Sequence, residues 1–146
     1  MTARVAEVML RSPIVLDGEA TVADVQEVLA SPHVHMVLLT GTGRVGEQLL
    51  GTLVRRDLAA AGSGEQPALA HAVLEGRTIG ADLPAEQVRR AMRAVGERRV
   101  AVVDRQGLLV GLLCLKRHGG GFCTDAGVAS RRAERTDGPG AQASRT

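Results

Sequence analysis

The chain has 146 residues, 45% of them hydrophobic, and a single aromatic residue of the Phe, Tyr and Trp set, Phe122. A single aromatic residue provides no stacking platforms for single-stranded nucleic acid. The 18 basic and 16 acidic residues are scattered, and the net charge of +2 indicates no basic stripe for DNA. No apolar run approaches the roughly 18 to 20 residues of a membrane span, the N-terminus lacks a signal-peptide pattern, and two cysteines fit a reducing compartment. We therefore expect a soluble cytoplasmic protein without nucleic-acid or membrane partners.

The first half of the chain alternates short apolar runs with turn residues. Val5 to Leu10 predicts a short helix, which ends before Pro13 because a residue preceding proline is pushed out of the helical region. Thr21 is the predicted N-cap of a helix that reaches Ala30, with Asp24 as the acid of a capping box. The remaining predicted elements are strands at 14–16, 34–39 and 48–54, a glycine-rich turn at 41–47 and a helix at 57–61.

The second half repeats this order after a polar linker at 63–67. One helix opens at Leu83-Pro84, where proline is tolerated in the first turn, and ends at Gly96. The other predicted elements are a short helix at 68–74, strands at 77–79, 99–103 and 108–115, and a turn at 104–107.

Corresponding positions in the two halves keep a nearly constant separation. Leu29 and Met92 are 63 residues apart, and Gly51 and Gly111 are 60 apart, because the first hairpin loop is longer. Insertions confined to loops are typical of an internal duplication. We predict a first repeat at 1–62, a linker at 63–67, a second repeat at 68–128 and a disordered tail at 129–146.

The repeated order of elements and several short motifs resemble the CBS domain, named after cystathionine β-synthase, and the tandem pair resembles a Bateman module. The motifs of the first copy are Ser12 to Val15, Thr21 to Val25, His35 to Leu39 and Gly51 to Leu58, and those of the second are Val100 to Asp104, Gly107 and Gly111. The resemblance covers roughly residues 4 to 120. It implies an α/β (α+β) fold of two tandem β-α-β-β-α units with pseudo-two-fold symmetry.

The resemblance also implies a function. Pairs of this family have two clefts that often bind AMP, ADP, ATP or S-adenosylmethionine as regulatory ligands, and they commonly form homodimers. In the family pattern the return strand reads Gly-apolar-apolar-Thr/Ser-x-x-Asp, with the hydroxyl near phosphate and the aspartate accepting from both ribose hydroxyls. No cofactor is required.

The two copies depart from this pattern differently. The first copy keeps the aspartate as Asp57 but has Val54 at the hydroxyl position, whereas the second has Cys114 and Arg117. A guanidinium only donates hydrogen bonds, so Arg117 cannot replace a carboxylate that accepts from a ribose. The resemblance therefore favours a nucleotide in the Asp57 cleft.

Candidate residues for that ligand lie near Asp57 and at the start of the first strand. We expect adenine against Ile14 and Val15, and phosphate near three cationic or titratable side chains, Arg55, Arg56 and His35. Arg98, Arg99 and Arg117 would make the second cleft an anion pocket. Alternatively, these arginines are solvated surface charges. For Asp57, the alternative is a role as the N-cap of the helix at 58–61.

Other groupings carry weaker signals. His33 and His35 share one face of a strand and form a possible metal pair, but no carboxylate accompanies them. Two alternatives remain for a loose cluster of polar residues, which are zinc binding and a purely structural role. The cluster consists of Cys114, His118, Cys123 and Asp125, and its spacing matches no zinc motif. The sequence contains no constellation typical of an enzyme, such as a nucleophile elbow or His-Glu-x-x-His, which favours a binding module.

Three functional hypotheses follow. The first is a regulatory module that binds an adenosine-type ligand in the first-repeat cleft and signals to an effector protein in another chain by population shift. The second is a degenerate pair that binds no ligand and serves as a dimerisation scaffold. The third is redox or metal sensing through Cys114 and Cys123.

Overall fold

The structure is a computed structural model that describes residues 3–125. The predicted tail at 129–146 and the last residues of the second repeat lie outside the described residues. The helices are α1 (Val5–Val8), α2 (Val22–Leu29) and α3 (Ala85–Val95), with 3₁₀ turns at Arg55–Leu58 and Ala68–His71. The strands are β1 (Val15–Asp17), β2 (Val37–Thr40), β3 (Leu49–Leu53), β4 (Thr78–Gly80), β5 (Arg99–Val103) and β6 (Leu109–Cys114).

Two three-stranded sheets repeat one topology. The orders are β1-β2-β3 and β4-β5-β6, and in each sheet the first strand runs parallel to the central strand and the third antiparallel to it. The central strands carry irregularities at corresponding places, Leu39/Thr40 and Val102/Val103. Two sheets with the same register and the same bulge confirm the predicted fold class.

The ends of the two longer helices confirm the capping predictions. The Thr21 hydroxyl accepts a hydrogen bond from the Asp24 backbone N–H at 3.2 Å, and the Asp24 carboxylate accepts from the Thr21 N–H at 2.9 Å. This reciprocal pair satisfies two N–H groups that the first turn of α2 leaves unpaired. Helix α3 ends at Gly96, whose φ of 77° lies in the left-handed region that glycine adopts without a Cβ clash.

The short helices differ from the predictions. Residues 57–61 do not form a helix capped by Asp57; the 3₁₀ turn begins two residues earlier, and Asp57 is its third residue, with a carboxylate that accepts from the Val54 N–H at 2.8 Å. The second repeat has no closing helix within residues 115–124, where Leu115 and Phe122 instead form an antiparallel bridge. A single turn is too short to propagate cooperatively as an α-helix, so tertiary contacts decide its form.

Apolar side chains fill three layers. One cluster lies between the sheets and includes Leu38, Leu49, Ala101 and Leu109. A second packs α2 on the first sheet, and a third packs α1 and α3 on the second sheet. With almost no aromatic residues, this core consists of Val, Leu, Ala and Met together with Cys114 and Cys123. Among the described residues, no helix has the length and hydropathy to cross a membrane.

The segment leading into each repeat crosses to the other repeat. Leu10, before β1, pairs with Leu112 on β6 through backbone hydrogen bonds of 2.7 and 2.9 Å. Val73, before β4, pairs with Thr52 on β3 through bonds of 2.9 and 2.8 Å. Leu10 and Val73 are 63 positions apart and the partners 60 apart, so the two crossings are equivalent. Each cleft is therefore built from both repeats.

Candidate functional site

Two equivalent clefts lie where a crossing segment meets the end of the opposite return strand. The Ile14 carbonyl accepts from the Leu38 N–H at 3.1 Å, and the Arg77 carbonyl accepts from the Ala101 N–H at 2.9 Å, so Ile14 and Arg77 occupy the same place in the two repeats. We define the first cleft by Val54–Asp57 with Arg77, and the second cleft by Cys114–Arg117 with Ile14. Asp57 in the first corresponds to Arg117 in the second.

The first cleft is occupied by an ion pair of the chain itself. The two terminal nitrogens of Arg77 donate to the two carboxylate oxygens of Asp57, both at 2.9 Å. Each side chain is only 9% exposed. Arg77 also donates to the Thr52 hydroxyl at 3.2 Å, and that hydroxyl donates to the Val73 carbonyl at 2.7 Å. Arg77 thus joins the second repeat to the first repeat's return strand.

Burial alone would raise the pKa of Asp57, but this effect is outweighed. Hydrogen bonds from Arg77 and from the Val54 N–H, together with the charge of Arg77, hold the Asp57 pKa below its ordinary value. The hydrogen bond to Asp57 in turn raises the pKa of Arg77. Both groups are therefore charged at neutral pH, and the acceptor capacity of the carboxylate is directed at the guanidinium.

The open part of the first cleft lies beside this pair. It is a cavity of about 300 Å³ lined by His35, Met36, Val54, Arg55, Arg56 and residues 96–99, and the Asp57 carboxylate is not in its wall. Arg55 donates to the carbonyls of Leu29 and Ser31, the latter at 3.0 Å. Arg56 lies 3.6 Å from Glu97. Both arginines therefore already have partners of their own.

The second cleft is larger and differs in charge. Its cavity has a volume of about 450 Å³, and no carboxylate of the described residues lies in its wall. The lining includes four cations, Arg98, Arg99, Lys116 and Arg117, and two imidazoles, His33 and His35. Apolar side chains complete the wall, among them Pro13, Ile14, Met36 and Leu112. The cavity is thus apolar on one part of its wall and cationic on another.

The four cations have no carboxylate partner within ion-pair distance in residues 3–125. Arg98 donates from Nε to the Leu115 carbonyl at 3.2 Å, which fixes its guanidinium at the cleft. Burial lowers the pKa of Arg99, which remains a cation because a guanidinium stays protonated at any physiological pH. Charge of one sign without a counter-charge favours an anionic ligand.

His35 reports on this positive environment. Burial, together with the charges of Arg99, Arg55 and Arg98, lowers its pKa from 6.5 to about 4. His35 is therefore neutral at pH 7, with one ring nitrogen that donates a hydrogen bond and one that accepts. A bound anion would offset the arginine charges and raise this pKa.

The structure brings some of the predicted site residues together and separates others. Val54, Arg55, Arg56 and His35 line one cavity. Ile14 lies in the second cleft with Arg117, because the crossing at Leu10 carries the leading segment to β6. The predicted adenine contact of Ile14 is therefore not available to a ligand at Asp57.

Other predicted residues also differ in surroundings. Val15 packs against the core between the sheets. Arg98 and Arg99 line the cavities of both clefts, and Arg117 lines the cavity of the second. Sequence reasoning missed Arg77, for which the signal was available: it lies 63 positions after Ile14, at the predicted adenine wall.

The possible metal ligands do not assemble. Within the described residues, no group of three or more His, Cys, Asp or Glu side chains is placed to hold an ion. His118 accepts from the Gly120 N–H at 3.0 Å, and Asp125 accepts from the Arg11 N–H at 3.0 Å. Cys114 and Cys123 lie together, with their sulfurs 2.6 Å apart.

Comparison with known proteins gives a family match for the first repeat. Residues 5–64 match the family model of the CBS domain. A search of curated proteins found no match. Among solved structures, a CBS domain protein from Pyrobaculum aerophilum complexed with AMP is similar at 28% identity and a TM-score of 0.62, over 77% of this chain and 87% of the other.

Two further solved structures share the fold. The cystathionine beta-synthase pair domain of a Shewanella oneidensis protein matches 90% of this chain and 72% of its own, at 19% identity and a TM-score of 0.67. The CBS domain of a bacterial CNNM/CorC family Mg²⁺ transporter, in complex with ATP, matches 77% of this chain and 81% of its own, at 18% identity and a TM-score of 0.59.

Proposed function

We propose that this chain, whose residues 5–64 match the CBS domain model and whose paired fold is similar to that of solved CBS-domain proteins, is a regulatory module that binds an adenosine nucleotide, with the phosphates held in the second cleft. One observation carries this proposal: a cavity of about 450 Å³ that, among the residues that the structure describes, is lined by four cations and no carboxylate. The site differs from the Asp57 cleft that the sequence favours, since Arg77 already occupies that carboxylate.

The wall of the second cleft suits both parts of a nucleotide. Pro13, Ile14, Met36 and Leu112 offer an apolar surface for the base. The guanidinium groups of Arg98 and Arg99 offer planar pairs of donors that match phosphate oxygens. A charge-assisted hydrogen bond of this kind contributes about 1.5–3 kcal/mol, so two or three are enough to hold a nucleotide.

Relatives support the ligand class. The similar Pyrobaculum aerophilum protein was solved with AMP, and the transporter domain with ATP. Both ligands carry adenine and at least one phosphate, which are the two features that the second cleft accommodates. S-adenosylmethionine carries a positive sulfonium and no phosphate, so a cleft of one positive sign favours AMP, ADP or ATP over it.

Ligand occupancy would reach a partner through the arrangement of the repeats. The cleft combines Ile14 and His35 of the first repeat with Arg99 and Arg117 of the second. A ligand that contacts both parts stabilises the arrangement for which it has the higher affinity. We propose that an effector protein, bound by this chain as a homodimer, responds to that shift.

A second candidate function has one observation in its favour. The Arg77–Asp57 pair fills the first cleft with side chains of the chain itself, as expected of a degenerate CBS pair that acts as a dimerisation scaffold without ligand. On this alternative the cations of the second cleft are surface charges without a ligand.

Calorimetric titration with AMP, ADP, ATP and S-adenosylmethionine separates the two functions. We expect one site for a phosphorylated ligand, an affinity at least tenfold lower in Arg99→Ala, and little change in Arg90→Ala, whose exposed side chain on α3 pairs with Glu86. Asp57→Asn should bind like the wild type. Absence of heat with every ligand at millimolar concentration would favour the dimerisation scaffold instead. Loss of binding in Asp57→Asn alone would place the ligand in the first cleft.

A further inference from the structure

Cys114 and Cys123 form a buried sulfur pair that nucleotide binding does not use. Their sulfurs lie 2.6 Å apart, and the residues are 6% and 8% exposed. The Cys123 N–H donates to the Cys114 carbonyl at 2.7 Å, next to the antiparallel bridge between Leu115 and Phe122. The two cysteines therefore face each other across a short antiparallel pairing, and both line the second cleft.

We infer that Cys114 and Cys123 are a reversible dithiol–disulfide modification site in the wall of the second cleft, oxidised by a peroxide. In the first step, the thiolate of one cysteine attacks one oxygen of hydrogen peroxide, which gives a sulfenic acid and hydroxide. In the second, the sulfur of the other cysteine attacks the sulfenic sulfur, and the sulfenic hydroxyl leaves with a proton as water. The sum is two thiols and one peroxide to one disulfide and two waters.

The backbone pairing is compatible with this bond. Residues directly opposite each other in an antiparallel pair have Cα atoms about 4.5–5.5 Å apart, which lies inside the range of about 4.4–6.8 Å for disulfides. The loop between the cysteines turns back through residues 119–121, where Gly119 has a φ of 75°. The pair is thus held opposite by the fold, while the cavity gives a small oxidant access to the sulfurs.

Burial keeps Cys114 protonated at neutral pH. Burial, the hydrogen bond to Cys123 and the charge of Cys123 raise the pKa of Cys114 to about 11. Because the thiolate is the nucleophile, the first attack on peroxide is slow, and the neighbouring sulfur then resolves the sulfenic acid.

Oxidation would change the binding site because of what the closed loop contains. Lys116 and Arg117, two of the cations in the wall, lie between the cysteines in sequence. A disulfide restricts the loop that carries them and lowers the entropy lost when they close on a phosphate. This part of the inference rests on the proposed function: we expect the oxidised protein to bind ATP several-fold more tightly than the reduced protein.

The modification is tested on the full chain without any nucleotide. Native protein is treated with hydrogen peroxide and analysed by thiol titration and intact mass. We expect loss of both thiols, a mass lower by two hydrogens in the monomer, and full reversal by dithiothreitol. Cys114→Ser and Cys123→Ser should gain oxygen or cross-link instead. Retention of both thiols in folded wild type, or oxygen addition without disulfide, would overturn the inference.

The coupling to the cleft is measured separately by titrating ATP into the reduced and oxidised wild type. Tighter binding only when the disulfide is present, absent in Cys114→Ser treated alike, supports the coupling. Equal affinity in the two states overturns the coupling. Absence of ATP binding in both states, with the disulfide formed, overturns the proposed function and the coupling while the modification site stands.

Discussion

The two clefts share one backbone and differ in how their charge is balanced. In the first, Asp57 meets Arg77, and the pair is neutral and buried. In the second, Arg117 stands at the position of Asp57 and Ile14 at the position of Arg77, so none of the carboxylates in residues 3–125 lines the cavity. A duplicated fold can thus keep its geometry while two substitutions turn one cleft into an internal contact and leave the other free for an anion.

The ion pair in the first cleft contributes to stability in a way that the second cleft cannot. Removing one member of a buried pair leaves the other charged and without a partner, which costs more than the pair gains by forming. The difference in charge balance between the two clefts can therefore be tested by substitutions in one cleft at a time.

The largest expected effect is on the first cleft. Arg77→Ala leaves the buried Asp57 carboxylate without its guanidinium, and we expect the free energy of unfolding to fall by about 3–5 kcal/mol. Urea denaturation measures it. The double variant Asp57→Leu/Arg77→Ile, which removes both charges, should recover much of the loss.

The matched control for this effect is Arg105→Ala. Arg105 pairs with Asp82 at 3.3 Å, but the side chain is 91% exposed, so its loss should cost less than about 1 kcal/mol. Equal destabilisation by Arg77→Ala and Arg105→Ala would show that the first cleft is not held by this pair.

The next effect concerns the crossing that builds the second cleft. A Cβ on Gly111 would lie 2.6 Å from the Leu10 carbonyl oxygen and 2.6 Å from the Met9 sulfur. Gly111→Ala should therefore lower the free energy of unfolding by about 1–3 kcal/mol, measured by urea denaturation. Gly41→Ala is the control, because nothing lies within 4 Å of its added Cβ; a cost no greater than this control would mean that the crossing is loose.

The third prediction concerns a substitution that makes the second cleft resemble the first. Arg117→Asp removes a cation and adds a carboxylate at the position of Asp57, so we expect nucleotide affinity to fall about tenfold, which corresponds to about 1.4 kcal/mol. Calorimetry with ATP measures it. Arg105→Asp makes the same charge change on an exposed side chain and should change the affinity little; similar losses in both variants would mean that net charge alone acts.

The smallest effect is a pH dependence from His35. Its pKa in the folded protein is about 4, below the ordinary value of 6.5. The unfolded chain therefore binds a proton between pH 6.5 and 4 that the folded protein does not, and the free energy of unfolding falls as pH decreases through this window.

Solvent screening limits this contribution to less than about 1 kcal/mol. Chemical denaturation of the wild type and His35→Gln at pH 7 and pH 5 measures it, and the variant should lose less stability on acidification. His71→Gln is the control outside the cleft, since His71 contacts Gln66. An identical pH profile for His35→Gln and the wild type would contradict the lowered pKa.

Local patterns of the sequence predict much of the architecture. Thr21 and Asp24 specify a helix start through contacts three residues apart, and Gly96 specifies a helix end through its backbone freedom. The alternation of apolar runs and turns predicted every strand of both sheets, with differences of a few residues at the ends. Such features are predictable because neighbours in sequence determine them.

The composition of the clefts depended on contacts between distant segments. The sequence placed Ile14 beside Asp57, since both belong to the first repeat, but the backbone pairing of Leu10 with Leu112 carries Ile14 to the second. Arg77 meets Asp57 for the same reason, through the pairing of Val73 with Thr52. Local pattern carries no information on which return strand a leading segment joins.

The sequence by itself determined a duplicated α+β fold and a set of charged residues at the ends of two return strands. Only the tertiary structure decided how these charges combine. An arginine 20 positions from Asp57 neutralises it in the first cleft, whereas two separate segments, 98–99 and 116–117, bring four cations together in the second. The physical reason is that charges interact through space, and the exchange of leading segments between the repeats sets those distances.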